Sequence, residues 1–213
     1  MELKPRSHRG RIYVDIDDVL SHTAESLIDL LEVHHGRRVE IEDFAHFDIG
    51  LSLGLSEDEA TDFLHFAHQA DSIEGIRPVE GAAETLRAWG QGGYEVALLT
   101  GRPPITDPST RNWLLACDIH FESLGFVDKY GRGDTWDESI PALCLDDVRA
   151  MEFCLAVEDS AEMAIFLVDE LGVDVVLMDR PWNRELPASS RRSRGSITRC
   201  HSWGEVRERF PNP

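Results

Sequence analysis

"RIYVDIDDVL", residues 11–20, is the stretch that decides the fold. It begins with an apolar run typical of a buried strand, and the run ends in three acids: Asp15, Asp17 and Asp18. Carboxylates this close repel each other, and each raises the pKa of its neighbour unless a cation lies among them. The stretch therefore predicts a strand that ends in a charged site.

The composition is that of a folded and strongly acidic protein. The chain has 213 residues, 42% of them apolar, which is enough for one α/β domain with a modest insertion. The net charge of −19 argues against binding to nucleic acid polymers or anionic membranes. Four widely spaced cysteines without a CxxC pair, and the lack of an apolar leader or membrane span, lead us to expect a soluble, reduced, cytoplasmic protein.

Apolar runs alternate with helical patterns over most of the chain, which predicts a Rossmann-like, doubly wound parallel sheet. The runs lack strict alternation, as expected for strands covered on both faces. The predicted strands are 11–15, 94–99, about 121–126, 153–157 and 173–178. The predicted helices of the sheet domain are 79–91, 108–116, 160–171 and about 203–210.

The interval after the first strand is too long for a loop and holds two helical patterns, 22–35 and 56–70. We therefore expect a core domain of residues 1–20 and 79–213 and a helical cap of residues 21–78 that lies over the acids. The Pro-, Ser- and Arg-rich segment 179–200 is interpreted as a surface loop.

Chemically active side chains follow four of the predicted strands. Because ligands bind beyond the carboxyl ends of such strands, these side chains are expected to share one rim. They are Asp15 with Asp17, Thr100, Lys129, and Glu158 with Asp159. These residue types suit phosphoryl transfer through an aspartyl-phosphate, in which hard oxygen ligands hold Mg²⁺, a second carboxyl moves the proton, and a lysine and a hydroxyl hold the phosphoryl oxygens.

The same motifs resemble those of the haloacid dehalogenase superfamily of phosphatases. "VDIDDVL" is similar to its first motif, "VALLTG" to its second and "VED" to its fourth, and Lys129 is the candidate for the third-motif lysine. By this resemblance Asp15 is the nucleophile and Asp17 the general acid/base. Mg²⁺ would bind Asp15, the backbone carbonyl of Asp17 and the Glu158/Asp159 pair. The second Asp argues against dehalogenation, which the superfamily's dehalogenases carry out without it.

The cap, the "TGRP" turn, the "EDSAEMA" helix start and the tail "MDRPWNR…SW" resemble the 5′(3′)-deoxyribonucleotidase branch and its bacterial relatives. The resemblance implies a small phosphorylated substrate, with a (deoxy)nucleoside 5′-monophosphate as the first choice. We expect a monomer or homodimer. The chain departs from that branch at Asp18, where Gly is usual. Its Glu-Asp pair replaces Asp-Asp, which leaves open which acid touches the metal.

Other candidate residues have two interpretations each. Gly101 and Arg102 could contact the substrate phosphate, or Arg102 could pair on the surface. Phe44 or Phe47, in the link between the cap helices, could stack on a base. His65 and His68 share a helix face but have no third ligand, so we do not predict a zinc site. Trp182 and Asn183 lie near the site or merely end the sheet.

Three other functions fit parts of the pattern. A phosphatase for a sugar or other small metabolite phosphate would keep the Asp pair and change only the cap. A phospho-accepting signalling domain, such as a response-regulator receiver, also uses clustered acids, Thr and Lys, but its phosphorylated Asp follows the acidic pair. A non-catalytic phosphate-binding protein would not need every acid to be intact.

Overall fold

A six-stranded parallel sheet forms the centre of the molecule. The computed structural model describes residues 9–44, 49–131, 141–185 and 194–213. The strands are β1 (Gly10–Val14), β2 (Tyr94–Thr100), β3 (Ser123–Phe126), β4 (Leu155–Glu158), β5 (Val175–Met178) and β6 (Ile197–Cys200). They lie in the order β3-β2-β1-β4-β5-β6, and every neighbouring pair is parallel. The predicted doubly wound α/β fold is confirmed.

The position of β1 explains why its end is a site. It pairs with β2 on one side and with β4 on the other, so the strand order reverses across it. Loops that leave β1 and its neighbours diverge to opposite faces of the sheet, and this opens a crevice at the carboxyl ends of the strands. Asp15 lies at the head of that crevice.

Helices cover both faces of the sheet. Their bounds are α1 (Thr23–His35), α2 (Ile49–Leu53), α3 (Glu57–Ala67), α4 (Ala70–Glu74), α5 (Ala82–Gln91), α6 (Asp107–Ala116), α7 (Leu145–Arg149), α8 (Ala161–Leu171) and α9 (Trp203–Arg209). Apolar side chains of α5, α6 and α9 pack with Ile12 and Val14, whereas those of α7 and α8 pack with Tyr13. Successive residues of β1 thus serve opposite cores, as the period of a strand requires. No described helix is long and apolar enough to cross a membrane.

Helices α1 to α3 share a small core of their own. Leu27 and Leu31 of α1 pack there with Phe63 of α3 and with Phe44 and Leu53 from the link. Helix α3 begins in a capping box, in which Ser56 and Glu59 satisfy each other's backbone N–H groups. Helix α1 ends at Gly36, whose φ of 60° is the left-handed conformation that glycine tolerates best. Helix α4 returns the chain to the sheet domain, where Ile73 joins the main core.

The interpretation of residues 179–200 as a surface loop was wrong at both ends. The segment begins with a helical turn, Pro181–Asn183, and ends in strand β6. β6 escapes a search for apolar runs because it is an edge strand of four residues whose first three side chains are only partly buried. The short helices α2, α4 and α7, with five residues each, were also absent from the prediction, because one turn and a half gives no clear period.

Candidate active site

The turn after β1 presents its acids in different directions. The N–H of Asp15 still pairs with the carbonyl of Val157 in β4, so this residue prolongs the strand. The chain then closes on itself, with the N–H groups of Leu20 and Ser21 both donating to the carbonyl of Ile16. Within this turn Asp18 has a φ of 56°, a left-handed conformation that glycine adopts freely and that Asp is one of the few other residues to tolerate.

Three carboxylates and one ammonium group form a buried cluster below this turn. Asp15, Lys129, Glu158 and Asp159 are 5%, 6%, 0% and 2% exposed. Nζ of Lys129 lies 3.0 Å from Oδ1 of Asp15 and 2.6 Å from Oε1 of Glu158. The structure therefore brings the predicted nucleophile, the predicted third-motif lysine and the acidic pair together, although some thirty residues separate Lys129 from Glu158 in the chain.

The two acids of the pair are held differently. Oε1 of Glu158 accepts from the Tyr13 hydroxyl at 2.8 Å as well as from Lys129, and its Oε2 accepts from the backbone N–H groups of Asp159 and Ser160, each at 2.9 Å. Four donors thus occupy this carboxylate. Asp159 receives one bond to Oδ2, from the indole Nε1 of Trp182 at 2.8 Å. Asp159 is therefore the acid of the pair with more capacity left for a cation.

The pKa values show a site with too much negative charge. Burial raises the pKa of Asp15 to about 8, although Lys129 opposes the shift. Burial and the neighbouring Glu158 hold the pKa of Asp159 well above its ordinary value. Burial alone would lower the pKa of Lys129, but Asp15 and Glu158 raise it, so the lysine stays charged. One ammonium group does not neutralise three buried acids.

A divalent cation fits this donor set. Asp15, Glu158 and Asp159 each offer a carboxylate oxygen, and these oxygens lie within 4.8 Å of one another. The buried Oδ1 of Asp15 is too poorly aligned with Lys129 for a hydrogen bond, which leaves it able to bind a cation. All the donors are hard oxygens, the class that Mg²⁺ prefers.

Asp17 lies outside this cluster, in a pair with Arg102. Nε and Nη2 of Arg102 donate to the Asp17 carboxylate at 3.0 and 2.7 Å, and Thr23 of α1 adds a hydrogen bond of 2.7 Å. The hydroxyl of Thr100 lies 3.3 Å from the same carboxylate. Burial would raise the pKa of Asp17, but Arg102 and the hydrogen bonds outweigh it and lower the pKa. Asp17 is therefore ionised at neutral pH.

Arg102 was expected either to contact the substrate phosphate or to pair on the surface, but it is buried and pairs with Asp17. Its side chain is only 5% exposed, donates through Nη1 to Thr110 at 3.3 Å and lies 5.9 Å from the ring centre of Trp113. The guanidinium group thus faces Asp17 and the α6 helix. In this arrangement it holds the acid rather than a phosphate.

A cleft of about 1080 Å³ lies between helices α1 and α3 and the carboxyl end of the sheet. Its floor carries Asp15, Asp17 and Asp159. Gly101 forms part of the wall, and a Cβ there would lie 3.3 Å from the ring of Tyr130, a tight contact that glycine avoids. A second hollow of about 600 Å³, at the opposite end of the sheet, holds none of these acids.

Helices α1 and α3 and the link between them supply most of the upper wall. Apolar side chains dominate beside the link and are Leu27, Leu30, Phe44, Leu55 and Leu64, with Trp182 facing them from the sheet domain. His65 and His68 also line the cleft. Phe44 is 4% exposed and belongs mainly to the cap core, so only its edge can reach a ligand. Phe47 lies outside the described residues.

Sequence reasoning missed several residues that shape the site. Tyr13 precedes Asp15 by two positions, and this spacing on a strand was the available signal, because it places both side chains on one face. Tyr130 follows Lys129 directly and lines the cleft. Arg180 donates to the backbone carbonyl of Asp18 although the two residues are far apart in the chain. The sequence around Arg180 gives no indication of this contact.

A curated protein is similar to this chain over most of its length. No family model matches the chain. A curated protein of Halalkalibacterium halodurans named "Putative nucleotidase" is 22% identical over 197 residues, which are 92% of this chain and 90% of the relative.

Solved structures share the fold over nearly the whole length. Protein Tyrosine Kinase A (PtkA) of Mycobacterium tuberculosis superimposes with a TM-score of 0.65 at 18% identity, covering 94% of this chain and 97% of the other. A "predicted phosphatase" of Clostridium acetobutylicum gives 0.60 at 12% identity, with 97% and 100% coverage. The motif order, this fold and a curated relative matched along about nine-tenths of both chains agree with the resemblance to the haloacid dehalogenase superfamily and support the prediction that the protein is an enzyme.

Proposed function

We propose that this enzyme is a Mg²⁺-dependent phosphatase that hydrolyses a small phosphomonoester through an aspartyl-phosphate on Asp15. The observation that carries the proposal is the placement of Asp15. It is buried against Lys129, shares a cluster with Glu158 and Asp159, and lies at the floor of a cleft that also contains Asp17. A nucleophile, a cation site and a separate proton carrier are the parts that this reaction needs.

The cluster makes a carboxylate able to approach a phosphate anion. Asp15, Asp159 and the backbone carbonyl of Asp17 would hold Mg²⁺, which supplies the positive charge that draws a phosphoryl group to the acids. Lys129 lies beside Asp15 and opposes the rise in its pKa, and a bound cation would favour the ionised carboxylate further. Glu158 holds Lys129 and is itself fixed by Tyr13 and two backbone N–H groups.

The first step forms a bond between a carboxylate oxygen of Asp15 and phosphorus, and it breaks the bond between phosphorus and the leaving oxygen. Asp17 gives that oxygen a proton. In the second step water attacks phosphorus, Asp17 takes its proton, and the bond between Asp15 and phosphorus breaks to release inorganic phosphate. Both carboxyl groups return to their starting states, so atoms and charges balance.

The Arg102 pair sets a condition on Asp17. An acid held ionised by Arg102 is ready to accept a proton but must first gain one to protonate a leaving group. Arrival of the phosphate anion near Asp17 raises the proton affinity of its carboxylate, so substrate itself creates the acid. Arg102 then keeps the carboxylate in place through both steps.

The wall of the cleft supports a choice of substrate class. Leu30, Leu55, Leu64 and Trp182 form an apolar surface that suits a flat ring better than a polyhydroxylated sugar. The curated relative is named as a nucleotidase, which agrees with this choice. We therefore propose a (deoxy)nucleoside 5′-monophosphate as the substrate, and residues 21–78 as a cap that opens to admit it and closes to exclude water.

Phosphate release from a panel of nucleoside monophosphates, deoxynucleoside monophosphates and sugar phosphates tests the proposal. Release is expected with Mg²⁺, and it should disappear with EDTA and in Asp15→Asn. The matched control is Asp29→Asn, which changes an exposed acid of α1 and should leave the rate unchanged. Release that survives in Asp15→Asn would contradict the mechanism, and hydrolysis of sugar phosphates alone would contradict the nucleotide.

A further inference from the structure

We infer that Trp182 is a positioning residue that couples the cap to the cation-binding carboxylate of Asp159. The inference rests on the proposed function, because it assumes a divalent cation at the cluster. Trp182 makes one contact on each side of the cleft. Its indole Nε1 donates to Oδ2 of Asp159 at 2.8 Å. Its ring meets the ring of Phe44 edge to face, with centres 5.8 Å apart.

The turn that carries Trp182 is anchored to the sheet domain. Asn183 is fully buried, and its Nδ2 donates to the backbone carbonyls of Asp159 and Met178, each at 2.7 Å. Next to it, Nε of Arg180 donates to the carbonyl of Asp18 at 2.9 Å. Side chains on both sides of Trp182 thus bind the two loops that carry the acids.

Phe44, the other contact of Trp182, belongs to the cap. Phe44 packs in the cap core with Leu27, Leu31, Leu53 and Phe63, and Trp182 packs against this core from the sheet domain. If the cap opens, the edge-to-face contact is the one that must change, since Trp182 stays with its anchored turn. The orientation of the indole, and with it the hydrogen bond to Asp159, then depends on the position of the cap.

The hydrogen bond has a direct consequence for a bound cation. It occupies Oδ2 of Asp159 and fixes the plane of the carboxylate, so the other oxygen is presented to the cluster. Hydrogen bonds of this kind to a ligating group typically change metal affinity by about 10–100-fold when they are removed. Because the Trp182 N–H is a single neutral donor, we expect its removal to change metal affinity by about 10-fold, the lower end of that range.

Mn²⁺ binding, followed by electron paramagnetic resonance with Mg²⁺ as competitor, tests the inference without measuring turnover. In Trp182→Phe, which keeps a ring and loses the N–H, Mn²⁺ affinity should fall about 10-fold. Trp182→His, which can donate from a ring nitrogen, should recover part of it. The matched control is Trp89→Phe, because Trp89 also donates its N–H, to the carbonyl of Phe210 at 3.0 Å, and lies in the main core away from the cluster.

The proposed coupling between Phe44 of the cap and the cation site needs a second variant. Phe44→Leu should weaken Mn²⁺ binding about twofold to threefold, and it should have no further effect in the Trp182→Phe background, since the coupling would already be broken. Additive losses would show two independent effects and would overturn the coupling. Unchanged Mn²⁺ affinity in Trp182→Phe would overturn the positioning role.

Wild-type protein labelled with 5-fluorotryptophan decides the question if Trp182→Phe does not fold. One fluorine signal should broaden at substoichiometric Mn²⁺, because the Trp182 indole is bonded to a cation-binding carboxylate. Bound Mn²⁺ without such broadening would contradict the inference alone. Wild-type protein that binds no Mn²⁺ would instead contradict the proposed function.

Discussion

Replacing Asp15 and Asp17 separately by Asn should change stability in opposite directions, although both substitutions should abolish phosphate release. Both acids follow β1, two positions apart, and both lie at the cleft. Asp15 shares a buried cluster with two other acids, whereas Asp17 has Arg102 as its partner. The sign of each effect follows from the direction in which burial and neighbours move each pKa.

The pKa of Asp15 in the folded protein, about 8, lies above its ordinary value of 3.8. The native state therefore binds more protons than the unfolded state between these values, and stability falls as pH rises through that window. At pH 7.5 the difference between the folded and ordinary pKa values corresponds to a loss of about 5 kcal/mol in the free energy of unfolding. Water penetration and dielectric relaxation reduce this loss to about 1–3 kcal/mol. Asp15→Asn cannot ionise, so it should be more stable than the wild type by that amount, or by about 4–8 °C in Tm for a gain of 2 kcal/mol.

Asp17 should behave in the opposite way because its pKa is lowered. Its charge stabilises the native state above its ordinary pKa, and that stability is lost only as pH falls through the lowered value. Asp17→Asn leaves Arg102, which is 5% exposed, without its ionised partner. Breaking such a pair should reduce the unfolding free energy by about 2–3 kcal/mol, a figure that allows for the partial exposure of Asp17.

Urea unfolding in EDTA at pH 5, 7.5 and 8.5 measures both effects. The advantage of Asp15→Asn should be smallest at pH 5 and should grow up to pH 8.5. An Asp15→Asn protein that is no more stable than wild type at pH 8.5 would refute the reasoning. So would an advantage that does not depend on pH, or a stabilising Asp17→Asn.

Three further predictions concern the same groups. Lys129→Met should reduce the unfolding free energy in EDTA by about 3–5 kcal/mol, since the buried acids lose their ammonium partner, and Mg²⁺ should restore part of the loss in urea unfolding. Mg²⁺ should raise the Tm of wild-type protein more at pH 8 than at pH 6, because protons compete for Asp15, whose pKa is about 8, and Asp159→Asn should lose this shift in thermal melts. Arg102→Lys keeps the charge but loses the two-pronged contact with Asp17, so steady-state kinetics should show kcat reduced about 10-fold with KM little changed.

The parts of the site that could be predicted are those that lie at strand ends. Asp15 and Glu158 follow neighbouring parallel strands, and the carboxyl ends of such strands meet at one edge. Lys129 was predicted in the same way from the end of β3, even though its distance from Glu158 in the chain gave no support. The geometry of the parallel sheet thus gives more information than spacing in the sequence.

The partner of Asp17 could not be predicted in the same way. Arg102 is 85 positions away, and its side chain could turn to the cleft, to solvent or to Asp17. Only packing decides, and here Thr110 and Trp113 of α6 hold the guanidinium group on the inner side. The β6 strand escaped for a related reason, because an edge strand is stabilised by its neighbour β5 rather than by a pronounced apolar run of its own.

The charges of the site explain why the acids after β1 are tolerated. Asp15, Glu158 and Asp159 face one ammonium group, from Lys129, so the ionised cluster retains two negative charges in a buried place. A divalent cation is the smallest addition that neutralises them, and the Asp17 pair is already neutral through Arg102. If the proposed cation binds, a phosphate dianion would meet a carboxylate cluster whose charges are balanced. The repulsion among the acids in the free protein is thus the physical reason that the cluster favours a cation, and the proposed function gives that cation its role.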